Sequence, residues 1–430
     1  MNEPDGFIAG NAARGSRGIV RRAGWGLLDQ VVSSGTNFAV GIFVARTLPL
    51  EDFGAFSIAF LVYTFTLSVA RAFPMEPLLI RYSTVVAARW RRGTAAATGT
   101  SVGAGCVVAL AVILIGAVVG GATGAALLAL GATLPGLLLQ DAWRLAFFAA
   151  GRGRDAFLND LTWAVALVPA FVIARSSGSS LFAIAFAWGI AASIAAVVGV
   201  AQARLLPRPD WARSWWQEHA DLAPKYFAEA MIRTGVSTIT MIVIGAIAGL
   251  AAVGSIRAAQ LVMSPVQILI FAASLVAVPE AVRILKRSVG SLVRLSVLVS
   301  CALAAVCLTW GLAALLLPDQ VGELILGDNW TAARAFLPAW ILTLLGTAVS
   351  FGPGMILRAF ANATLSLEVT ILAATIGFVV PVGAAFLGGL PAAWGLAVAA
   401  VVGSVISWLV VPLGIRTWRT GRSADEAALA

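Results

Sequence analysis

The chain has 430 residues, of which 60% are hydrophobic and only 11% charged, and its mean hydropathy is +0.94. A water-soluble domain of this length could not hide so much apolar surface, which excludes soluble enzymes and binding modules and points to an integral membrane protein with little mass outside the bilayer. The formal charge of +9 rests on arginines spread over many short loops, a pattern suited to anionic lipid head groups and not to nucleic acid.

Hydropathy predicts twelve helices of about 20 residues each. They run near 24–46, 53–80, 96–119, 125–150, 156–175, 181–203, 222–247, 256–282, 292–317, 334–358, 365–387 and 391–415. The apolar runs are continuous, not short alternating segments, so helices are expected and a barrel is not. Gly120-Gly121, Pro318-Asp319 and Gly388-Gly389 mark turns between spans. The expected organisation is a tail over 1–23, a six-helix bundle over 24–203, a linker over 204–221, a second bundle over 222–415 and a tail over 416–430. The fold class is all-α: two pseudo-symmetric six-helix bundles around a central cavity.

Basic residues recur at every second loop. Arg14, Arg17, Arg21 and Arg22 mark the N-terminal side, joined there by Arg81, Arg89, Arg91 and Arg92, by Arg152 and Arg154, and by Arg204, Arg208 and Arg213. Arg283, Lys286, Arg287, Arg358, Arg416, Arg419 and Arg422 continue the series. The opposite loops hold little beyond Arg46, Arg175 and Arg334, and the longest, 318–333, is acidic. By the positive-inside rule both termini are cytoplasmic. Nearly all basic residues are Arg and the chain is rich in Ala, which suggests a bacterial source with GC-rich codons and hence an inner-membrane location.

Cys106, Cys301 and Cys307 all fall inside spans with no metal or disulfide spacing and read as small buried hydrophobes. His219 is the single histidine and sits in the linker. No metal and no cofactor are expected. The Gly-rich stretch 99–105 lies within a span and would let helices approach closely. Trp211, Trp215 and Trp216 in the linker predict a short interfacial helix with its indoles among the head groups.

Residue n set beside residue n+200 aligns the first span with the seventh: Asp29 falls on Glu229, Ser34 on Thr234, Gly35 on Gly235 and Asn37 on Ser237. Phe53-Gly54-Ala55 falls on Val253-Gly254-Ser255, and with small gaps Asp160 matches Glu368 and Pro169 matches Pro381. Six spans per half make the repeats parallel, related by an axis along the membrane normal.

Charged side chains near the centre of a span cost roughly 2.5–3.5 kcal/mol each and so point to function. Asp29 lies roughly 10 Å from the inner start of the first helix, with Ser33 and Asn37 following on the same face. The second helix carries Arg71, the fourth Gln140, Asp141 and Arg144, and the seventh Glu229 and Arg233. Four helices thus place charge at one depth, which predicts a hydrated inward-facing cavity whose arginines would meet the phosphate or pyrophosphate of an anionic head group. In the alternative, Asp29–Arg71 and Glu229–Arg233 are pairs that only fix packing, and Arg71 and Arg144 snorkel to the interface. Asp160, Lys225, Arg358 and Glu368 are expected to be helix-end anchors.

The stretch from Gly26 to Asn37, followed by Ala45-Arg46-Thr47-Leu48-Pro49 and Glu51-Asp52-Phe53-Gly54, resembles the opening of bacterial polysaccharide transporters (Wzx-like flippases) of the multidrug/oligosaccharidyl-lipid/polysaccharide exporter superfamily. Leu250 to Gln260, with Pro265, resembles the matching part of the second half. The resemblance implies a pair of six-helix bundles that moves a polyprenyl-diphosphate-linked oligosaccharide between leaflets by alternating access. It implies a lipid-linked oligosaccharide and membrane lipids as partners and no enzymatic activity, and it leaves a polysaccharide polymerase partner open. Relatives that flip peptidoglycan precursor commonly have fourteen spans, against twelve here. A cation-coupled exporter of small molecules on the same fold is the competing expectation, with Asp29 as its coupling carboxylate. A membrane-embedded glycosyltransferase would need a larger external loop than 318–333. A duplicated chain encloses its own cleft, so a monomer is expected.

Overall fold

The structure is a computed structural model that describes the backbone of residues 5–82, 87–221, 224, 227, 231–360 and 363–429. Among the described residues there is no strand. The chain runs through α1 (Asp5–Thr47), α2 (Leu50–Ala70), a π turn at Arg71–Met75 and α3 (Glu76–Tyr82). It continues as α4 (Ala87–Val119), α5 (Gly121–Ala149), α6 (Gly153–Ser176), α7 (Leu181–Ala203) and the linker helix α8 (Ala212–His219). After a second π turn at Met231–Gly235 come α9 (Val236–Ala248), α10 (Leu250–Leu285), α11 (Val289–Leu315) and α12 (Asp319–Leu326). The last three are α13 (Trp330–Ala359), α14 (Ala363–Ala385) and α15 (Gly389–Leu429).

Eleven helices of the described residues are long and apolar enough to cross a membrane, and α9 adds a shorter apolar helix. These match the twelve expected spans in order, and the first part of the seventh, expected over 222–247, falls largely outside the described residues. The chain is therefore a multi-pass membrane protein. Its outward surface agrees: Val107, Leu110, Leu114 and Val118 on α4 and Val165, Val168 and Val172 on α6 are exposed. Lipid hydrocarbon covers such faces without the cost that water would impose. Helix ends follow local chemistry. Ser180 and Ser288 accept the N–H groups of Ala183 and Ser291, capping α7 and α11. Gly120, Gly249 and Gly388 take positive φ at the turns, where a side chain would strain the backbone. The expected outer loop 318–333 is largely helical as α12, and the two predicted tails continue the helices α1 and α15.

Two compact units emerge. The first comprises Met1–Gly41 and Ala59–Thr234, and the second Ile42–Ile58 and Gly235–Ala430. In the first, α5 is the hub, packing against α4 and α7, while α6 packs on α7. In the second, α13 is the hub, packing against α11 and α15, while α14 packs on α15. The fourth span of each half thus holds the same neighbours. That is the architecture an internal duplication produces.

The duplication also shows in one contact inside the second unit. A Cβ on Gly54 would lie 2.0 Å from the Leu250 carbonyl oxygen, and one on Gly254 would lie 2.4 Å from the Leu50 carbonyl oxygen. Residues n and n+200 exchange roles, as a two-fold contact requires. The Gly-rich stretch of α4 does allow close approach, though chiefly of the linker: a Cβ on Gly99 would lie 2.2 Å from the Arg208 backbone, and the Arg208 N–H donates to the Ala95 carbonyl.

Two expectations need correction. Cys307 is buried, but Cys106 and Cys301 are exposed, because each sits on the outward face of its helix. Trp215 does not sit among head groups. It is 2% exposed and packs with Tyr82 and His219 in the inner core of the first unit, while Trp216, the next residue, turns outward onto Phe73. Consecutive residues on a helix point about 100° apart, so both cannot share one face.

Candidate functional site

The charged residues of the first unit converge on a network around α5. Gln140 and Arg144 are one turn apart and share a face, whereas Asp141 points to a different side. Arg144 Nη2 and Nε donate to Asp29 Oδ2 at 2.6 and 2.8 Å, and Arg144 Nε lies 3.3 Å from Asp160 Oδ2. Gln140 Nε2 donates to Asp160 Oδ1 at 2.7 Å and contacts Asn159 Oδ1 at 3.3 Å. Asn159 Nδ2 in turn donates to the Ala195 carbonyl and to Gln202 Oε1. On the other side of α5, Arg71 grips Asp141 with both arms of its fork, Nε to Oδ2 at 2.8 Å and Nη2 to Oδ1 at 2.6 Å.

The second-helix backbone is shaped for that grip. Pro74 has no N–H and would clash with a carbonyl one helical turn earlier. The chain answers with the π turn Arg71–Met75, in which the Glu76 N–H donates to the Arg71 carbonyl. Such wide turns are frequent at functional sites.

Asp29 and Asn159 are fully buried, and Asp160, Gln140 and Asp141 nearly so. Asp29 Oδ1 has no hydrogen-bond partner. The Arg144 side chain is 13% exposed and the Arg71 side chain 39%, so Arg71 is the one cation of the network that opens outward. With every group ionised, Asp29, Asp141 and Asp160 face Arg71 and Arg144, three negative charges against two positive.

The partners differ from the expected ones. Asp29 pairs with Arg144 and not with Arg71, which takes Asp141. Arg144 does not snorkel, since its head is held by two carboxylates. Asp160 is not a helix-end anchor: it is 2% exposed and completes the Arg144 clamp. Ser33 and Asn37 are half-buried, and the Asn37 amide donates to the Ser33 carbonyl on its own helix. Glu229 and Lys225 lie outside the described residues, and of Arg233 only the backbone is described, within the π turn Met231–Gly235. Glu368 and Arg358 are exposed.

Sequence reading missed Asn159, Gln202 and Tyr63, which packs edge-on against Trp188 at 4.9 Å beneath the network. Asn159 and Gln202 carried a signal as polar side chains inside apolar runs, and Pro74 as a proline inside a span. The second unit has no such network among its described residues. There Ser300 Oγ accepts the Gly352 N–H and donates to the Val349 carbonyl.

In the first unit the linker seals one end of α4. Arg208 stacks on Trp211 at 4.8 Å and donates to Asp210, a bond that holds the Asp210 carboxyl below the usual carboxylate range. Arg81 bonds Asp221 and the Glu218 carbonyl.

Comparison with known proteins places the fold. A search of curated proteins finds no match. Among solved structures, the chain is similar to a multidrug resistance MATE family transporter of the MOP superfamily in an inward-facing conformation, with TM-score 0.66, 14% identity, and 91% of this chain and 96% of that chain covered. It is similar to the lipid II flippase MurJ in an inward closed conformation, with TM-score 0.66, 11% identity, and 90% of this chain and 87% of that one covered. An outward-facing MATE family transporter matches at TM-score 0.55 and 17% identity, over 94% of this chain and 96% of that one. These likenesses establish the fold, that of the MOP superfamily transporters. A family model described as "Polysaccharide biosynthesis protein" matches residues 43–335, well over half of the chain, and the chain belongs to that family.

Proposed function

We propose that the chain is a flippase that carries a lipid-linked oligosaccharide, its lipid a polyprenyl diphosphate, from the inner to the outer leaflet for polysaccharide assembly. The observation that carries this reading is the family match over residues 43–335 of a chain made almost wholly of apolar helices. A role in polysaccharide biosynthesis can be met by chemistry or by movement, and a chain with so little mass outside the bilayer has the means for movement. The neighbouring folds are a lipid II flippase and multidrug transporters, by their own descriptions. Alternating access between two six-helix bundles around a central cavity is the mechanism this fold would use, with both termini cytoplasmic and a bacterial inner membrane as its setting.

Within this reading Arg71 is the residue for the cargo's diphosphate. Two of its donors hold Asp141, and the outward edge of its planar fork remains for a second anion. Arg144 is committed to Asp29 and Asp160, so its role is to position the first, fourth and fifth spans. Of the earlier candidates, Ser33 and Asn37 would line the wet face of α1, while Gln140 would hold Asp160.

One observation favours ion coupling as part of the same activity. Three carboxylates against two guanidinium groups leave one negative charge inside the membrane, a state that costs several kcal/mol unless a proton or cation offsets it. Asp29 and Asp160, both on Arg144, are the pair that would take up that proton or cation and release it as the transporter cycles.

The test is reconstitution. Purified protein in vesicles, given a fluorescent polyprenyl-diphosphate saccharide in one leaflet, should move it to the other far faster than protein-free vesicles. No acceleration with this cargo, together with export of small amphipathic cations down a proton gradient, would replace the flippase reading by the multidrug one.

A further inference from the structure

A second site lies apart from the charge network, at the inner end of the first unit. A cavity of about 590 Å³ opens between the start of α4 and the linker helix α8, lined by Tyr82, Arg89, Arg92, Trp211, Trp215 and Glu218 among others. We propose that this cavity binds the phosphate head group of an anionic membrane lipid.

Charge supplies the first argument. Three arginines at this end are paired with carboxylates: Arg81 with Asp221, Arg152 with Asp155 and Arg208 with Asp210. Arg89 and Arg92 form no ion pair with a carboxylate among the described residues, and both line the cavity. Their heads are nonetheless held in place. The Arg89 guanidinium sits 5.7 Å from the Tyr82 ring centre and that of Arg92 5.7 Å from the Trp211 ring centre. A guanidinium resting on a ring keeps its N–H edge for an acceptor in its own plane, which is how Arg recognises phosphate oxygens. Against these two cations the cavity lining carries one acid, Glu218, so it is net positive.

Construction supplies the second argument. The rings that orient the arginines are fixed from behind: Trp215 is buried and packs on Tyr82 and His219, and the His219 ring nitrogen Nδ1 donates to the Trp215 carbonyl at 2.9 Å. The volume is that of a small-ligand site, large enough for a glycerophosphate head.

The neighbouring surface argues for a lipid as the source of the phosphate. Trp215 of α8 lines the cationic cavity, and Trp216 lines an apolar groove of about 330 Å³ with Val69, Phe73, Val108 and Leu138. The helix therefore stands between a basic pocket and an apolar groove, the two surfaces that the head and chain of an amphipathic anion require. The site goes beyond the transport reading and does not depend on which cargo is carried.

Native mass spectrometry of the full chain in detergent tests the proposal, with phosphatidylglycerol and phosphatidylcholine of identical acyl chains as probes and soluble pyrophosphate as a separate arm. Wild-type protein should retain phosphatidylglycerol in preference to phosphatidylcholine. Arg89→Gln/Arg92→Gln should weaken that binding about a hundredfold, about tenfold per lost charged hydrogen bond. Arg91→Gln should leave it unchanged, because Arg91 donates to the Arg204 carbonyl and does not line the cavity. Arg92→Gln alone, about tenfold weaker, carries the test if the double variant does not assemble. Equal retention of both lipids, unchanged affinity in Arg92→Gln, or binding of pyrophosphate without phosphatidylglycerol would each overturn it.

Discussion

At the residue scale, the meaning of Arg71 turns on whether it serves Asp141 or a ligand. Arg71→Ala leaves Asp141 buried without a partner, a loss of about 3–5 kcal/mol, so loss of transport in that variant alone would not separate the two roles. The pair removed together does. Arg71→Ala/Asp141→Asn leaves no orphan charge, and its thermal stability in detergent should return to within about 1.5 kcal/mol of wild type. If Arg71 meets the cargo's diphosphate, transport stays abolished in the double variant; recovery of transport with stability would assign the pair to packing. Asp160 gives a second test. Asp160→Asn removes the surplus carboxylate and keeps one amide oxygen that can accept from Gln140. Under ion coupling, transport by this variant should lose its dependence on a pH gradient. A pH profile like that of wild type would exclude Asp160 from coupling.

At the element scale, the second unit depends on the reciprocal approach of α2 and α10 through Gly54 and Gly254. No side chain fits where its Cβ would stand 2.0 Å from a carbonyl oxygen. Gly54→Val should therefore destabilise the protein by at least the 1–3 kcal/mol typical of overpacking, read as a lower unfolding temperature in detergent. Gly35→Ala on α1, where nothing lies within 4 Å, is the matched control and should be neutral or slightly stabilising. Equal behaviour of the two variants would mean that the Gly54 contact is not required. The π turn at Arg71–Met75 belongs to this scale too. Pro74 announced an irregularity, but only the widened turn and the Asp141 across from it show which way Arg71 is delivered.

At the scale of the whole molecule, the two halves repeat one packing scheme around α5 and α13. Among the described residues the charge network lies around α5, whereas the Ser300 hydroxyl bridges α11 and α13. If the inner half of α1 faces water during the cycle, cysteines placed at positions 33 and 37 should be labelled by a membrane-impermeant thiol reagent in inverted vesicles. Both positions protected would mean that this face of α1 is packed throughout.

Much was legible before any coordinates. Membrane residence, the order and rough limits of the spans, the half-length repeat and the depth of Asp29, Arg71, Asp141 and Arg144 all follow from one-dimensional quantities: hydropathy over about 20 residues, spacing along a helix and a shift of n+200. These are properties that each segment carries with it into any tertiary fold, because the bilayer forces every span to satisfy its backbone internally. Which aspartate meets which arginine was not of that kind. Asp29, Arg71, Asp141, Arg144 and Asp160 lie at similar depth on four helices, so their pairing depends on the rotation of each helix about its axis. Helix rotation is set by side-chain packing between neighbours, as around α5, and by the π turn that redirects Arg71. Burial of Asp160 and Trp215, exposure of Cys106 and Cys301, and the cavity between Arg92 and Trp211 were decided in the same way, by contacts between residues far apart in the chain.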